Sequence, residues 1–187
     1  GRYSALTAFG LVPSGLAGVD IDELLNEAEA SLLEVAVDSA ENPALRLGAA
    51  IAATNPRRDK LGLITDGTHI KGLPDWIEQL IAESTGKEGK GILPVDREPI
   101  GAPQSYGGDR IFVAIRLAGA RDPALDDKLA ALEKAGHPVV RLELRDRYDL
   151  GAEFFRWEVA TAVAGSILGI DAFDQPNVQE AKELTRG

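Results

Sequence analysis

The sequence predicts an α/β fold built on a mostly parallel sheet. Short apolar runs alternate with amphipathic helical patterns from residue 60 onward, and this alternation is typical of βαβ units. The chain has 187 residues, 44% of them hydrophobic, which suits one domain with a substantial core. We expect three layers, αβα, around four or five strands near residues 61–65, 91–95, 110–117 and 139–144.

Residues 4 to 56 are predicted to be helical and to precede this core. Asp20 can cap a helix whose apolar positions recur at helical spacing up to Ala36. Asn42 is a second cap, because the following Pro43 suits the first helical position. We therefore divide the chain into a helical lead-in, residues 1–56, and an αβα core, residues 57–187.

The core supplies the remaining helices. One should run from Pro74 to Ser84, the next from Pro123 to Ala135 with a glycine cap, and a long one from Leu150 to Ile170. Asp174 is predicted to cap a last helix that has proline near its start.

Composition excludes several classes of partner. The formal net charge is −10 without a large basic cluster, which argues against nucleic acid but leaves a small anionic substrate possible. No apolar run approaches the ~20 residues of a membrane span. Cysteine is absent, so no disulfide framework or thiolate metal site is predicted, and a reducing cytoplasm is the plain interpretation. Methionine is also absent, and we expect the chain to be a piece of a longer protein.

Three segments carry a recognisable pattern, in chain order. Residues 1–4 read Gly-Arg-Tyr-Ser, and residues 79–87 read Gln-Leu-Ile-Ala-Glu-Ser-Thr-Gly-Lys. Residues 165–182 contain Gly-x-x-x-Gly-x-x-x-Phe-Asp-Gln, followed by Val178 and Lys182. Together the three segments resemble motifs of the glucose-6-phosphate isomerase family. Residues 147–158 resemble the isomerase half of bifunctional transaldolase/glucose-6-phosphate isomerase fusions.

The resemblance implies a fold, an activity and partners. The fold would be the C-terminal sugar-isomerase (SIS) domain of a two-domain protein, with the lead-in helices packing toward the missing N-terminal domain. The reaction would interconvert glucose 6-phosphate and fructose 6-phosphate through an enediolate, a step of glycolysis and gluconeogenesis. Mannose 6-phosphate remains open as a further substrate, as does a homodimer. No cofactor and no metal are implied, and no set of His, Asp and Glu has metal-ligand spacing.

The resemblance also assigns roles to individual residues. Glu83 would be the base that moves a proton between C1 and C2, and its place at a helix end is where we expect an α/β fold to bind ligands. Arg2 would stabilise the negative charge that develops on the substrate oxygens, although so near a chain end it is expected to fray. Lys182 would assist ring opening and flank the substrate together with Glu83. Substrate contacts are further predicted for Gln175, Ser84, Thr85 and Lys87.

Two elements of the family are not found. The common form uses a His for ring opening, but neither His69 nor His137 lies in a matching motif, so Glu83, Lys182 or water would take over. The Ser/Thr-rich phosphate loop is absent as well. Near Lys182 the chain has Pro176-Asn177 and Gln179 where the family usually has Trp-Gly and Glu. We therefore expect the isolated chain to be nearly inactive as an isomerase.

Other functions remain open at this point. The chain could be a sugar-phosphate-binding domain without catalysis, although a proton-shuttling carboxylate would then serve no purpose. It could also be an assembly module that contacts a neighbouring domain through residues 4–56.

Overall fold

The computed structural model describes residues 1–54, 56–65, 70, 72–120 and 122–186, with the side chains of 177–181 left aside. Seven α-helices and four strands are assigned within these ranges. In chain order they are α1 Ala8–Leu16, α2 Ile21–Val35, α3 Pro43–Ala52, β1 Lys60–Thr65, α4 Leu73–Thr85, β2 Leu93–Val95, β3 Arg110–Leu117, α5 Pro123–Lys134, β4 Val139–Leu144, α6 Leu150–Leu168 and α7 Pro176–Arg186.

The four strands form one parallel sheet in the order β2-β1-β3-β4. This confirms the predicted fold class and the positions of all four strands. β2 begins at Leu93, later than the predicted Gly91. The reason is local: the amide of Ile92 donates to the hydroxyl of Thr85 in α4 at 2.9 Å, so pairing with β1 starts one residue further on.

Helices cover both faces of the sheet. Alternate residues of β1 and β3, among them Leu63 and Val113, pack with α3, α4 and α6 in the main core. Residues of the opposite face, among them Ile64 and Phe112, pack against Leu129 and Leu132 of α5. Because successive strand residues point to opposite faces, the apolar runs of the sequence fill both cores. The result is the predicted αβα arrangement.

The last lead-in helix, α3, is part of the main core. Leu47 and Ile51 of α3 are buried together with Ile77 of α4 and Trp157 of α6. α3 approaches α6 so closely that a Cβ on Gly48 would lie 2.7 Å from the carbonyl oxygen of Ala160. α3 therefore shares one core with the sheet.

Two predicted caps are confirmed and one is wrong. Asp20 accepts from the amide of Glu23, and Asn42 accepts from two amides at the start of α3. α7, however, begins at Pro176, so Gln175 precedes it directly. The carboxylate of Asp174 pairs with Lys87 instead. None of the described helices is long and apolar enough to cross a membrane.

Candidate functional site

Glu83 lies in the last turn of α4, at the edge of the sheet where the strands begin. β1 leads into α4, which returns antiparallel to the strands, and the next residues reach the start of β2. Thr85 accepts from the amide of Ile92 at 2.9 Å, and the amide of Leu93 donates to the carbonyl of Asp59 before β1 at 2.7 Å. The expectation that Glu83 shares the usual ligand position of α/β folds, outside the carboxyl ends of the strands, is therefore wrong.

The side chain of Glu83 is 47% exposed. Gln79, one turn earlier in α4, donates from Nε2 to Oε1 of Glu83 at 3.0 Å. The guanidinium Nε of Arg2 lies 3.6 Å from the other carboxylate oxygen. The carboxylate is thus oriented from two sides and still open to solvent. Gln79 belongs to the matched segment, but its contact with Glu83 was not foreseen.

Arg2 is buried, contrary to the expectation that it frays. Its terminal nitrogens donate four hydrogen bonds: NH1 to Ser84 Oγ at 3.1 Å and to the carbonyl of Ala172 at 2.9 Å, NH2 to the carbonyls of Phe173 at 3.2 Å and Asp174 at 3.1 Å. Contacts with residues 82 to 172 positions away hold Arg2 in place. Arg2 is therefore fixed although it lies near the end of the chain. Nε of Arg2 is buried and lacks a hydrogen-bond acceptor.

The 171–174 loop, residues Asp171 to Asp174 between α6 and α7, is also held by Lys87. The ammonium group of Lys87 donates to the carbonyls of Asp171 and of Asp174, the latter at 2.9 Å, and pairs with the Asp174 carboxylate. The three segments that carry the family resemblance therefore meet at one place: Arg2, the end of α4 and the 171–174 loop.

Tyr3 is a member of this site that the sequence did not single out. Its hydroxyl donates to the carbonyl of Ala172 at 3.3 Å, and its ring packs on Phe173 with centroids 5.1 Å apart. Burial raises the pKa of the Tyr3 hydroxyl above its ordinary value, against smaller lowering effects of a hydrogen bond with Ser84 and of the positive charge of Arg2. The hydroxyl therefore keeps its proton and serves as a donor. The Gly-Arg-Tyr-Ser match was the signal that could have identified it.

Ser84 and Thr85 are fully buried within the protein. Ser84 accepts from Arg2, while Thr85 donates to the carbonyl of Ile81 at 2.8 Å and accepts from Ile92. The hydrogen bonds of Thr85 fix the end of α4 to the start of β2 and are therefore structural. Contacts of Ser84 and Thr85 with substrate stay predictions.

Gln175 and Lys182 lie beyond the 171–174 loop and are exposed. Gln175 directly precedes α7, and Lys182 lies within that helix. Among the described contacts, none joins Lys182 to Glu83. Their shared role at one substrate therefore stays a prediction.

His137 lies away from the site. His137 is buried on the opposite, α5 side of the sheet, where its Nε2 lies 3.2 Å from the carbonyl of Pro103 and its ring meets Tyr106 and Phe112. His69 lies outside the described residues. Within the described ranges, no group of three or more His, Cys, Asp or Glu side chains is arranged to hold a metal ion.

The geometry combines an accessible carboxylate with a buried cation. A solvent-exposed carboxylate at a fixed position can exchange a proton with a bound molecule. The adjacent guanidinium places a fixed positive charge 3.6 Å from this carboxylate, and such a charge suits an oxygen that becomes negative during reaction.

Comparison with known proteins finds relatives that match over the whole of this chain. No family model matches the chain. A probable glucose-6-phosphate isomerase of Natronomonas pharaonis is 31% identical, covering 100% of this chain and 52% of the relative. The glucose-6-phosphate isomerase of Rubrobacter xylanophilus is 29% identical, covering 99% of this chain and 52% of the relative.

Over its whole length the chain is similar to proteins named glucose-6-phosphate isomerase, at 26–31% identity. Solved structures agree in fold. A hypothetical protein of Thermus thermophilus superposes with a TM-score of 0.78 at 23% identity, covering 99% of this chain and 54% of that one. A glucose-6-phosphate isomerase of Chlamydia trachomatis gives a TM-score of 0.70 at 18% identity, covering 99% of this chain and 46% of that one.

The chain spans about half the length of the glucose-6-phosphate isomerases that it matches. The alignment with the Natronomonas relative extends over 223 positions, whereas this chain has 187 residues, so the relative carries additional residues inside the matched region. The similarity thus extends over the whole of this chain and over part of each relative.

Proposed function

We propose that this chain is the part of a glucose-6-phosphate isomerase that carries the proton-transfer base, Glu83. One observation supports this most directly: the three family-like segments, distant in sequence, converge on a single exposed carboxylate. Arg2 contacts Ser84 beside Glu83 and three carbonyls of the 171–174 loop. The substrates would be glucose 6-phosphate and fructose 6-phosphate.

The reaction requires one base that reaches two neighbouring carbons. In the open-chain aldose, Glu83 takes the proton from C2 while the C–H electron pair forms a C1=C2 double bond and the carbonyl oxygen becomes an enediolate oxygen. Return of the proton from Glu83 to C1, with a proton shift between the two oxygens, gives the ketose. The guanidinium of Arg2 would stabilise the enediolate through its fixed positive charge beside Glu83. Ring opening is assigned to Lys182.

The experiment compares Glu83→Gln with Glu78→Gln in the complete protein that contains this chain. Glu78 is an exposed glutamate of the same helix and serves as the matched control. We expect Glu83→Gln to lower turnover of fructose 6-phosphate by about 10²–10⁴-fold, the usual contribution of a general base, and Glu78→Gln to leave it unchanged. In D₂O, the unaltered protein should place deuterium on C1 or C2 of the sugar phosphate.

Two results would contradict the proposal. Turnover that persists in Glu83→Gln would remove Glu83 from the chemistry. An equal loss of turnover in Glu78→Gln would show that the substitutions disturb α4 and that Glu83 has no special role. The isolated chain should be nearly inactive in the same assay, because catalysis uses binding energy from the substrate phosphate and the family's phosphate loop is not in this chain.

A second candidate function, assembly with a further domain, is favoured by the surface of the lead-in helices. Phe9 and Leu16 of α1 are 86% and 87% exposed, and Leu33 of α2 is 76% exposed. Exposed apolar side chains on one pair of helices suit contact with a further domain, which we expect to be the N-terminal half of the complete protein. Replacing Phe9 and Leu33 by serine should weaken association with a separately produced N-terminal half, and undiminished association would exclude this surface.

Three further predictions remain part of the proposal. The resemblance of residues 147–158 to the bifunctional fusions supports a complete protein that also contains a transaldolase. That protein should then show transaldolase activity. A homodimer would show in its mass in solution. A cytoplasmic location is supported by the absence of cysteine.

A further inference from the structure

The 171–174 loop has an unusual set of partners. Its four consecutive carbonyl groups, those of Asp171, Ala172, Phe173 and Asp174, all accept hydrogen bonds from cationic side chains. A buried or half-buried carbonyl outside a helix or strand needs a donor, and here Arg2 and Lys87 supply these donors. The loop is therefore held against α4 by two positive charges.

Lys87 has no donor left for a ligand. An ammonium group carries three N–H bonds, and its three acceptors are the carbonyls of Asp171 and Asp174 and the carboxylate of Asp174. Its side chain is only 7% exposed. This differs from Arg2, whose Nε–H lacks an acceptor and lies beside Glu83.

We infer that Lys87 is a positioning residue, which fixes the 171–174 loop and thereby the start of α7 relative to Glu83, and that it does not bind substrate. The effect on catalysis rests on the proposed function. Gln175 directly follows the loop and Lys182 lies in α7 after it, so a displaced loop moves both relative to the base although Lys87 itself touches no substrate. Charge-assisted hydrogen bonds to several acceptors at once explain why a lysine, with three donors on a long stem, suits this place.

The first test uses this chain alone and needs no activity. In Lys87→Met, amide hydrogen exchange of a peptide covering residues 169–176 should accelerate about tenfold, because local opening becomes easier. Lys87→Arg, which keeps the charge, should show an intermediate rate. Lys90→Met is the matched control: Lys90 lies three residues away, pairs with Glu88 and reaches only the carbonyl of Gly169 at 3.4 Å. Unchanged exchange in Lys87→Met would overturn the inference.

The second test uses the complete protein. Lys87→Met should lower kcat about tenfold or more and leave KM for fructose 6-phosphate within about twofold, with partial recovery of kcat in Lys87→Arg. Asp174→Asn should lower kcat in the same way, and the double variant should be no worse than either single one, since both changes remove one interaction. A raised KM with unchanged kcat would identify Lys87 as a substrate ligand and overturn the inference.

The two tests also separate this inference from the proposed function. If the unaltered complete protein shows no isomerase activity, the function is wrong, while the exchange measurement still decides whether Lys87 holds the loop.

Discussion

Two clusters of arginine, lysine and carboxylate side chains lie in different parts of the molecule and are built in opposite ways. The α4 cluster consists of Arg2, Glu83, Lys87 and Asp174. The α6 cluster consists of Arg145, Asp149, Glu153 and Arg156. In the α4 cluster the cations are buried, with 3% of the Arg2 side chain exposed, and the carboxylate of Glu83 is open. In the α6 cluster 3% of the Glu153 side chain is exposed, whereas Arg145 is 71% exposed.

The difference lies in what satisfies the buried charge. Main-chain carbonyls accept hydrogen bonds from the terminal nitrogens of Arg2 and compensate its charge. The carboxylate of Glu83 is therefore not needed for this purpose. In the α6 cluster, Asp149 and Glu153 are paired directly with Arg145 and Arg156. A buried carboxylate that is paired in this way is a poor base, because it can neither reach a ligand nor exchange its proton readily. The comparison explains why the α4 cluster, and not the α6 cluster, is the candidate active site.

The largest effect is expected for Arg2→Met. It removes the donor of four hydrogen bonds, three of them to loop carbonyls, so the free energy of unfolding should fall by about 2–4 kcal/mol. Arg145→Met is the matched change in the α6 cluster. It should cost clearly less than Arg2→Met, since Arg145 is exposed and the carboxylate of Asp149 keeps the backbone amide of Arg145 as a donor at 2.6 Å. Urea unfolding of both variants measures the difference, and equal losses would contradict the comparison.

Much of the fold, but less of the site, follows from the sequence. β3 was predicted at its observed bounds because an apolar run rich in β-branched residues stands between polar turns. Asp20 and Asn42 acted as caps through local contacts alone. The burial of Arg2 was missed because its acceptors lie 82 to 172 residues away in the sequence. Motif matching located the segments, whereas only the fold shows which donors are already engaged.

The position of Glu83 relative to the sheet is a second instructive error. A helix that follows a strand returns toward the start of that strand, so its last turn reaches the edge where strands begin. The residues of α4 alone indicate a helix end, and the general rule for α/β folds then suggested the wrong edge. The Thr85–Ile92 hydrogen bond joins residues only seven positions apart, so it could have been predicted from the sequence.

An intermediate effect is expected for Gly151→Ala, which tests whether the α6 cluster is structural. A Cβ at Gly151 would lie 2.0 Å from the carbonyl oxygen of Leu24 in α2, so the two helices would have to separate. We expect a loss of about 1–3 kcal/mol in unfolding free energy from this overpacking. Gly15→Ala is the control, since its Cβ would meet only the side chain of Ile21 at 3.3 Å. In the complete protein, kcat of Gly151→Ala at low temperature should stay near that of the unaltered protein.

A result in which Gly151→Ala keeps its stability but loses activity would contradict this interpretation. It would show that the α2–α6 contact shapes the site and that the two clusters are coupled.

The smallest effect concerns Glu158, which lies on α6 near Tyr3 of the site. Burial raises the pKa of the Glu158 carboxyl to about 7, and its Oε1 has no hydrogen-bond partner. In the unfolded chain this carboxyl titrates near its ordinary value of 4.5. Between these two pH values the unfolded state releases its proton first, so the group lowers stability progressively as the pH rises to about 7. Below pH 4.5 the carboxyl is neutral in both states and has no such effect.

Glu158→Gln removes this titration while keeping a neutral side chain of similar shape. The variant should equal the unaltered chain in stability at about pH 4 and exceed it by about 1–2 kcal/mol at about pH 8, a value reduced from the full shift because the side chain is only partly buried. Urea unfolding at several pH values across this range measures the difference, with Glu78→Gln as an exposed control that should show none. A variant that is less stable at the alkaline end would mean that the charged form of Glu158 is favoured in the folded chain. Tyr3, and with it the α4 cluster, would then lie beside a permanent negative charge, which would weaken the contrast drawn between the two clusters.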